Sequence, residues 1–223
     1  MTTTSDLIRA LSGNLTPVRR LRPPLVRALL WLMLAAVVLG LLAVSQGVRP
    51  DLLARLQDLA FAGPVAGSLA TGILAAIAAF MVSLPDRSRL WLLLPLPALV
   101  LWFSNIGYQC LTQWVALDPN GITLGETARC AATLVLTSLP LSLAMVLMLR
   151  YAAPLRPTAV ALVGSLSVAA ITATALSLFH VLDASLMVIM WNMGTALLIV
   201  SIGGALSRRY AARIAPRTSG QVN

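Results

Sequence analysis

The sequence predicts an all-α integral membrane protein: a bundle of six transmembrane helices, both termini in the cytoplasm, with a short N-terminal amphipathic helix. Of the 223 residues, 59% are hydrophobic and 10% are charged, whereas soluble domains are about 45–50% apolar and about 25% charged. The apolar residues also form runs of about 20, the length that crosses a bilayer, rather than one-sided helical stripes. Composition and run length together exclude a soluble enzyme.

The six predicted spans are apolar stretches that contain no charged residue. They cover residues 28–46, 60–84, 90–110, 130–149, 158–178 and 184–206. Each is long enough to cross about 30 Å of hydrocarbon at about 1.5 Å per residue. Turn residues such as Gly47 and Pro50 separate the runs. The transmembrane domain is thus predicted over 28–206, between a cytoplasmic segment 1–27 and a basic cytoplasmic tail 207–223.

Arginine placement sets the predicted orientation. There are 16 basic residues and the net charge is +9; all of the basic residues are arginine. Only Arg49, Arg55 and Arg129 fall in the odd-numbered loops, so thirteen of the 16 lie at the termini and in the even-numbered loops. The positive-inside rule therefore predicts that both termini are cytoplasmic. Because topology accounts for the charge, no direct nucleic-acid contact is predicted; the lipid bilayer is the expected surrounding.

The predicted spans contain small and weakly polar residues but no Asp, Glu, Arg or His. Carriers usually keep ionisable groups at membrane depth, so this composition disfavours an ion-coupled transporter. A small carrier or an uncharged channel remains the alternative function. Gly63 and Gly67 have the GxxxG spacing that lets helices approach closely, either inside the bundle or in self-association of two copies.

The segment ahead of the first span has the pattern of a short amphipathic helix. The run Thr3-Thr4-Ser5-Asp6 supplies candidate caps and an acid in the first turn. Apolar residues recur at spacings of three and four; they are Leu7, Ile8, Leu11 and Leu15. Pro17 forbids extension, and a basic stretch 18–24 follows. Such a stripe either lies on anionic lipid or docks into a groove of a cytoplasmic partner.

Cys110, Cys130 and His180 all fall at predicted periplasmic span ends. Thiolates and imidazole bind soft metals, and two thiols can bridge in an oxidising compartment, so this face predicts a redox or metal sensor. A static disulfide, or buried thiols beside an interfacial histidine, is the structural alternative. A thiol oxidoreductase is a weaker alternative, because two isolated cysteines do not form an electron relay. No cofactor is predicted.

Three groups of motifs resemble the NrsF-type family of multi-span membrane anti-sigma factors of bacteria. The first group is Asp6-Leu7-Ile8 with Leu11, the run Pro17-Val18-Arg19-Arg20-Leu21-Arg22-Pro23-Pro24, and Arg27. The second is Ala153-Pro154-Leu155-Arg156-Pro157, and the third is Phe179-His180 with Asp183, Ser185, Trp191 and Arg208-Arg209. With the six spans and short tails, the resemblance covers nearly the whole chain.

The resemblance implies regulation rather than catalysis. A member of this family holds an extracytoplasmic-function sigma factor inactive at the inner membrane and releases it under stress such as oxidants or heavy metals. On this interpretation the sigma-factor contacts are Asp6, Leu7, Ile8, Leu11, Leu15, Val18, Arg19, Arg20, Leu21 and Arg22. The family also has a periplasmic cysteine beside the fifth-loop histidine. Val181 stands there in this chain, so only Cys130 matches the family's two-thiol sensor.

Overall fold

The computed structural model describes residues 4–13, 22–112, 124–150, 157–179 and 201, and every element in these ranges is helical. The helices are α1 (Thr4–Gly13), α2 (Pro24–Gln46), α3 (Leu52–Arg55), α4 (Leu59–Val82), α5 (Leu96–Thr112), α6 (Leu124–Leu149) and α7 (Pro157–Phe179). A 3-10 helix over Arg89–Leu93 precedes α5.

Four of the described helices are long and apolar enough to cross a membrane, judged by length and composition. They are α2, α4, α7 and the Ala132–Leu149 part of α6. These four coincide with the spans predicted over 28–46, 60–84, 158–178 and 130–149. The predicted sixth span, 184–206, lies outside the described residues except for position 201.

The third predicted span is divided. The 3-10 helix ends at Leu93, and α5 begins only at Leu96. Pro95 lies between them and has no amide hydrogen for a helix ladder, whereas Pro97 is in the first turn of α5, where that hydrogen is not needed. The continuous helix predicted from residue 90 is therefore corrected, and Pro95 is the signal that the prediction passed over.

Two of the described helices begin several residues earlier than predicted. The first turn of α2 starts at Pro24 and includes Arg27, and α6 starts at Leu124, six residues ahead of the predicted span. These two predicted spans begin directly after a charged residue, Arg27 or Arg129. Both helices extend further towards the N-terminus, because a charged side chain does not interrupt the hydrogen bonds of the helix backbone.

The core lies between α4 and α7, which pack along each other at the centre of the described bundle. α5 and α2 pack on α4, while α6 packs on α7 and α2. The α4 interface is rich in fully buried alanines, which permit close helix approach; they are Ala75, Ala76, Ala78 and Ala79. Among the described residues, two side-chain hydrogen bonds cross this interface: one joins Ser68 Oγ and Thr174 Oγ1 (2.9 Å), and in the other Ser167 Oγ donates to the Gly72 carbonyl (2.7 Å).

The GxxxG glycines of α4 face α5 of the same chain. A methyl group on Gly67 would lie 3.0 Å from Trp102 Cα, and one on Gly63 would lie 3.1 Å from Asn105 Oδ1. These distances favour the internal-packing alternative, since α5 already occupies the space beside both glycines. Self-association through Gly63 and Gly67 would require α5 to move and stays a prediction.

Candidate functional site at the Arg27 end

The antiparallel helices give the bundle two ends, and each end contains a buried arginine. The Arg27 end comprises the starts of α2 and α7 and the last turns of α4 and α6. The Arg49 end comprises the last turns of α2 and α7, the start of α4 and the loop between α2 and α4. Arg27 is 5% exposed and Arg49 is 4% exposed. The predicted orientation places the Arg27 end towards the cytoplasm.

Arg27 joins three helices. From the first turn of α2, its guanidinium donates a hydrogen bond to the Met148 carbonyl and lies 5.2 Å from the centroid of the Phe80 ring. Met148 is in the last turn of α6, where helix carbonyls lack an intrahelical partner and a cation complements the helix dipole. Arg27 therefore caps α6 and stacks on α4.

Trp31 extends this attachment one turn further along α2. Its side chain is fully buried, and its indole Nε1 donates a hydrogen bond to the Leu141 carbonyl over 3.1 Å. An indole N–H buried in an apolar core needs such a partner. Arg27 and Trp31 thus hold α2 against α6 at two successive levels.

The N-terminal segment has a different environment. Every α1 residue whose exposure the structure describes is exposed, including the apolar Ile8 at 62%. Arg22, ahead of α2, is also exposed. In the part of the chain that the structure describes, the extensive helix packing involves α2 and α4–α7 rather than α1. The described surface of α1 is therefore accessible to a partner.

The predicted sigma-factor contacts are only partly within reach of the structure. Asp6, Ile8 and Arg22 are exposed, as a contact surface requires. Leu7 and Leu11 lie in α1, but their side chains are outside the described part. Leu15, Val18, Arg19, Arg20 and Leu21 lie outside the described residues altogether.

The Arg49 end is organised around a local ion pair. Arg49 Nε lies 2.6 Å from Asp51 Oδ1 and its Nη2 lies 3.1 Å from Asp51 Oδ2, a two-point contact. The guanidinium also lies 5.4 Å from the Phe61 ring centroid, and the Arg49 amide donates to the Leu178 carbonyl. The hydrogen bond from Arg49 lowers the pKa of Asp51 below its usual value.

The predicted sensor residues cannot be assembled from the described residues. Cys110 is in α5 and Cys130 is in α6, but their side chains, and the whole of His180, are outside the described part. Within that part, no group of three His, Cys, Asp or Glu residues could hold a metal ion. The redox or metal sensor stays a prediction.

Sequence reasoning missed the structural role of both buried arginines. By position alone, Arg27 belongs with the arginines that orient the chain, and Arg49 with the few on the opposite side. The available signals were local: Pro23 and Pro24 start a helix ahead of Arg27, and Asp51 follows Arg49 by two residues.

Comparison with known proteins identifies the family. The chain matches the family described as NrsF, negative regulator of sigma F, over residues 11–212. No curated protein and no solved structure gave a significant match. The family match runs from α1 through α7 and beyond, and it confirms the resemblance carried by the sequence motifs. The chain belongs to the NrsF family of negative regulators of sigma F.

Proposed function

We propose that this protein is a membrane-embedded anti-sigma factor that holds an extracytoplasmic-function sigma factor at the bacterial inner membrane through segment 1–27. The family match over residues 11–212 carries the proposal. The proposal adds a place and a mode of binding: both termini face the cytoplasm, and the segment captures the sigma factor beside the Arg27 end.

The apolar helices support a tethering role. Each of the four candidate membrane helices is long and apolar enough to cross a bilayer. A segment attached to α2 is therefore confined near the membrane surface. Confinement raises the effective concentration of the segment for a partner bound beside it. It also keeps the captured sigma factor away from the nucleoid.

The exposed α1 supports the mode of binding. A ten-residue helix is marginal in isolation, and the described residues of α1 are not buried by the bundle. We expect a groove of the sigma factor to supply the missing burial, with the apolar stripe as anchor and the basic stretch around Arg22 steering an acidic partner surface. Ile8 is the described member of that stripe.

The release step belongs to the opposite face. We propose that oxidants or heavy metals act on Cys110 and Cys130, with His180 as an additional ligand, and that the change reaches the N-terminal segment through the bundle. Cys110→Ser with Cys130→Ser tests this step, with sigma-dependent transcription measured with and without oxidant. We expect the double variant to repress normally and to lose induction; full induction would contradict the proposed sensor.

Co-purification tests the binding mode. The full chain is co-expressed with its sigma factor, extracted in mild detergent and captured through a C-terminal tag. We expect Leu7→Asp with Leu11→Asp to reduce the recovered sigma factor at least about tenfold, a loss of about 1.4 kcal/mol, since a charge would enter the apolar contact.

A matched control separates the stripe from charge alone. Ser5 is an exposed first-turn residue outside the predicted stripe. Ser5→Asp introduces one negative charge, where the leucine variant introduces two, at a helix N-terminus that tolerates it. We expect Ser5→Asp to recover as much sigma factor as the wild type. If the double leucine variant also recovered as much sigma factor as the wild type, the stripe would not be the contact surface.

A further inference from the structure

We propose that Arg27 is a positioning residue that ties the end of the N-terminal segment to α6, so that the position of α6 determines how the segment is presented to the sigma factor. The inference rests on the proposed function, because it assigns a control to the same binding segment. It concerns a residue buried in the bundle rather than one that touches the partner.

The junction between segment and bundle is short and stiff. Arg22 is exposed, Pro23 and Pro24 follow, and α2 starts at Pro24 with the Arg27 amide donating to the Pro23 carbonyl over 3.2 Å. Each proline fixes its φ, so the direction of the preceding chain follows the first turn of α2. Whatever fixes that turn therefore also sets the direction in which the segment leaves the bundle.

Arg27 provides the long-range attachment of that turn. Leu25 and Val26 beside it are 51% and 40% exposed, whereas the Arg27 side chain reaches inward to Met148 and Phe80. In the described part of the chain, none of the recorded ion pairs involves Arg27. Its buried charge is thus satisfied by a helix end and a ring, and displacement of either leaves it poorly solvated.

The capped helix reaches towards the opposite face. Met148 lies near the last residue of α6, while Cys130 lies near its start. Their separation of 18 positions corresponds to about 27 Å along a helix axis. α6 stays helical through Pro140 and packs along α7 and α2, so a displacement at its first turns reaches the carbonyl that Arg27 holds. Through its hydrogen bond to Met148, Arg27 would pass such a displacement of α6 to the end of the N-terminal segment.

The test compares Arg27→Gln with Arg89→Gln in the full-length protein. Arg89 is an exposed arginine at the same end, so the control removes the same charge without removing the contact. Hydrogen exchange is followed at residues 22–30, at 143–150 and at 157–179. We expect Arg27→Gln to raise exchange about fivefold in the first two ranges, the effect of losing one hydrogen bond, and to leave the third unchanged.

Recovery of the sigma factor is measured on the same samples. We expect Arg27→Gln to reduce recovery at least about fivefold without oxidant, while Arg89→Gln retains the wild-type amount. If Arg27→Gln does not accumulate, Arg27→Lys serves instead: it keeps the charge but not the planar stacking group, and we expect intermediate exchange and intermediate recovery.

The outcomes separate this inference from the proposed function. Raised exchange with wild-type recovery would overturn the positioning role, and so would unchanged exchange at 22–30. Both results leave the proposed function intact as long as Leu7→Asp with Leu11→Asp loses the sigma factor. Failure of the leucine variant to lose it would instead contradict the binding segment itself.

Discussion

The two ends of the bundle bury an arginine in different ways. At the Arg27 end, the guanidinium reaches a carbonyl of α6 and a ring of α4, which are distant in sequence. At the Arg49 end, the carboxylate partner Asp51 is only two residues away. The first arrangement depends on the relative position of three helices, whereas the ion pair at the second can persist while the helices move.

The contrast extends to the surrounding packing. Large aromatic side chains fill the Arg27 end, where Trp31 and Phe80 are fully buried. Towards the Arg49 end, Gly67 lets α4 approach the α5 backbone closely, and Gly63 lies against the Asn105 side chain. Side chains that interlock between helices transmit a displacement, while a local ion pair absorbs it. At the end that carries the proposed sigma-factor segment, the guanidinium's hydrogen bond therefore depends on the position of another helix, whereas the Arg49 guanidinium bonds to Asp51 in its own loop and contacts α4 at the Phe61 ring.

The largest predicted effect is at Trp31. We expect Trp31→Ala to lower the free energy of unfolding by about 3 kcal/mol, because a fully buried indole and its hydrogen bond to α6 are both lost. Trp31→Phe, which loses mainly the hydrogen bond, costs about 1 kcal/mol. Unfolding in mixed detergent micelles measures both. The half-buried Phe61 at the other end is the comparison; a loss for Phe61→Ala equal to that for Trp31→Ala would contradict the contrast.

Close backbone approach predicts the next effect. In Gly67→Ala the added methyl lies 3.0 Å from Trp102 Cα, so α4 and α5 must separate, which we expect to cost about 1–3 kcal/mol. Gly40→Ala makes the same chemical change in α2 with no atom within 4 Å. Helix propensity alone then favours alanine by up to about 1 kcal/mol. The same unfolding assay compares them, and equal destabilisation would show that crowding at Gly67 is not the cause.

The smallest effect is the pH response of the Arg49 end. The folded-state pKa of Asp51 is lowered by its hydrogen bond from Arg49, so the pair's contribution to stability is present at neutral pH and is lost as the pH falls through that lowered pKa. We expect hydrogen exchange at 49–56, corrected for intrinsic rates, to rise below the usual aspartate pKa of about 3.9. The Asp51 side chain is 43% exposed, so the change is modest.

Asp51→Asn is the matched control for that experiment. It removes the titrating group, so we expect exchange at 49–56 to be raised at neutral pH and to lose its additional rise in acid. At the Arg27 end, the described ion pair between Arg87 and Asp86 is exposed and does not involve Arg27, so we expect acid to leave exchange at 22–30 unchanged. A pH response of equal size at residues 22–30 would mean that a carboxylate also holds the Arg27 end.

Much of this architecture could be predicted from composition and run length. The spans over 28–46, 60–84, 130–149 and 158–178 agree with helices, because twenty apolar residues have few other stable arrangements in a bilayer. The break at Pro95 was predictable in principle from proline chemistry. The roles of Arg27 and Trp31 were not, because their partners are carbonyls of α6 more than 100 residues away, and a backbone carbonyl has no sequence signature.

The partner, too, could be predicted only in part from the sequence. The motif that spans Pro17 to Pro24 pointed to the family, and the match over residues 11–212 confirms it. Periodicity alone gave a stripe on α1 that suits lipid and protein equally well. Exposure of Ile8 is compatible with both, so the choice of a sigma factor depends on family membership rather than on local physics.

Cell fractionation tests the central claim most directly. Sigma-factor distribution between membrane and soluble fractions is measured in unstressed cells that carry the wild-type chain, the Ser5→Asp control, or Leu7→Asp with Leu11→Asp, at equal membrane levels of each. We expect a membrane-bound sigma factor with the first two and a soluble, active one with the third. A sigma factor that stays at the membrane with the leucine variant would contradict it.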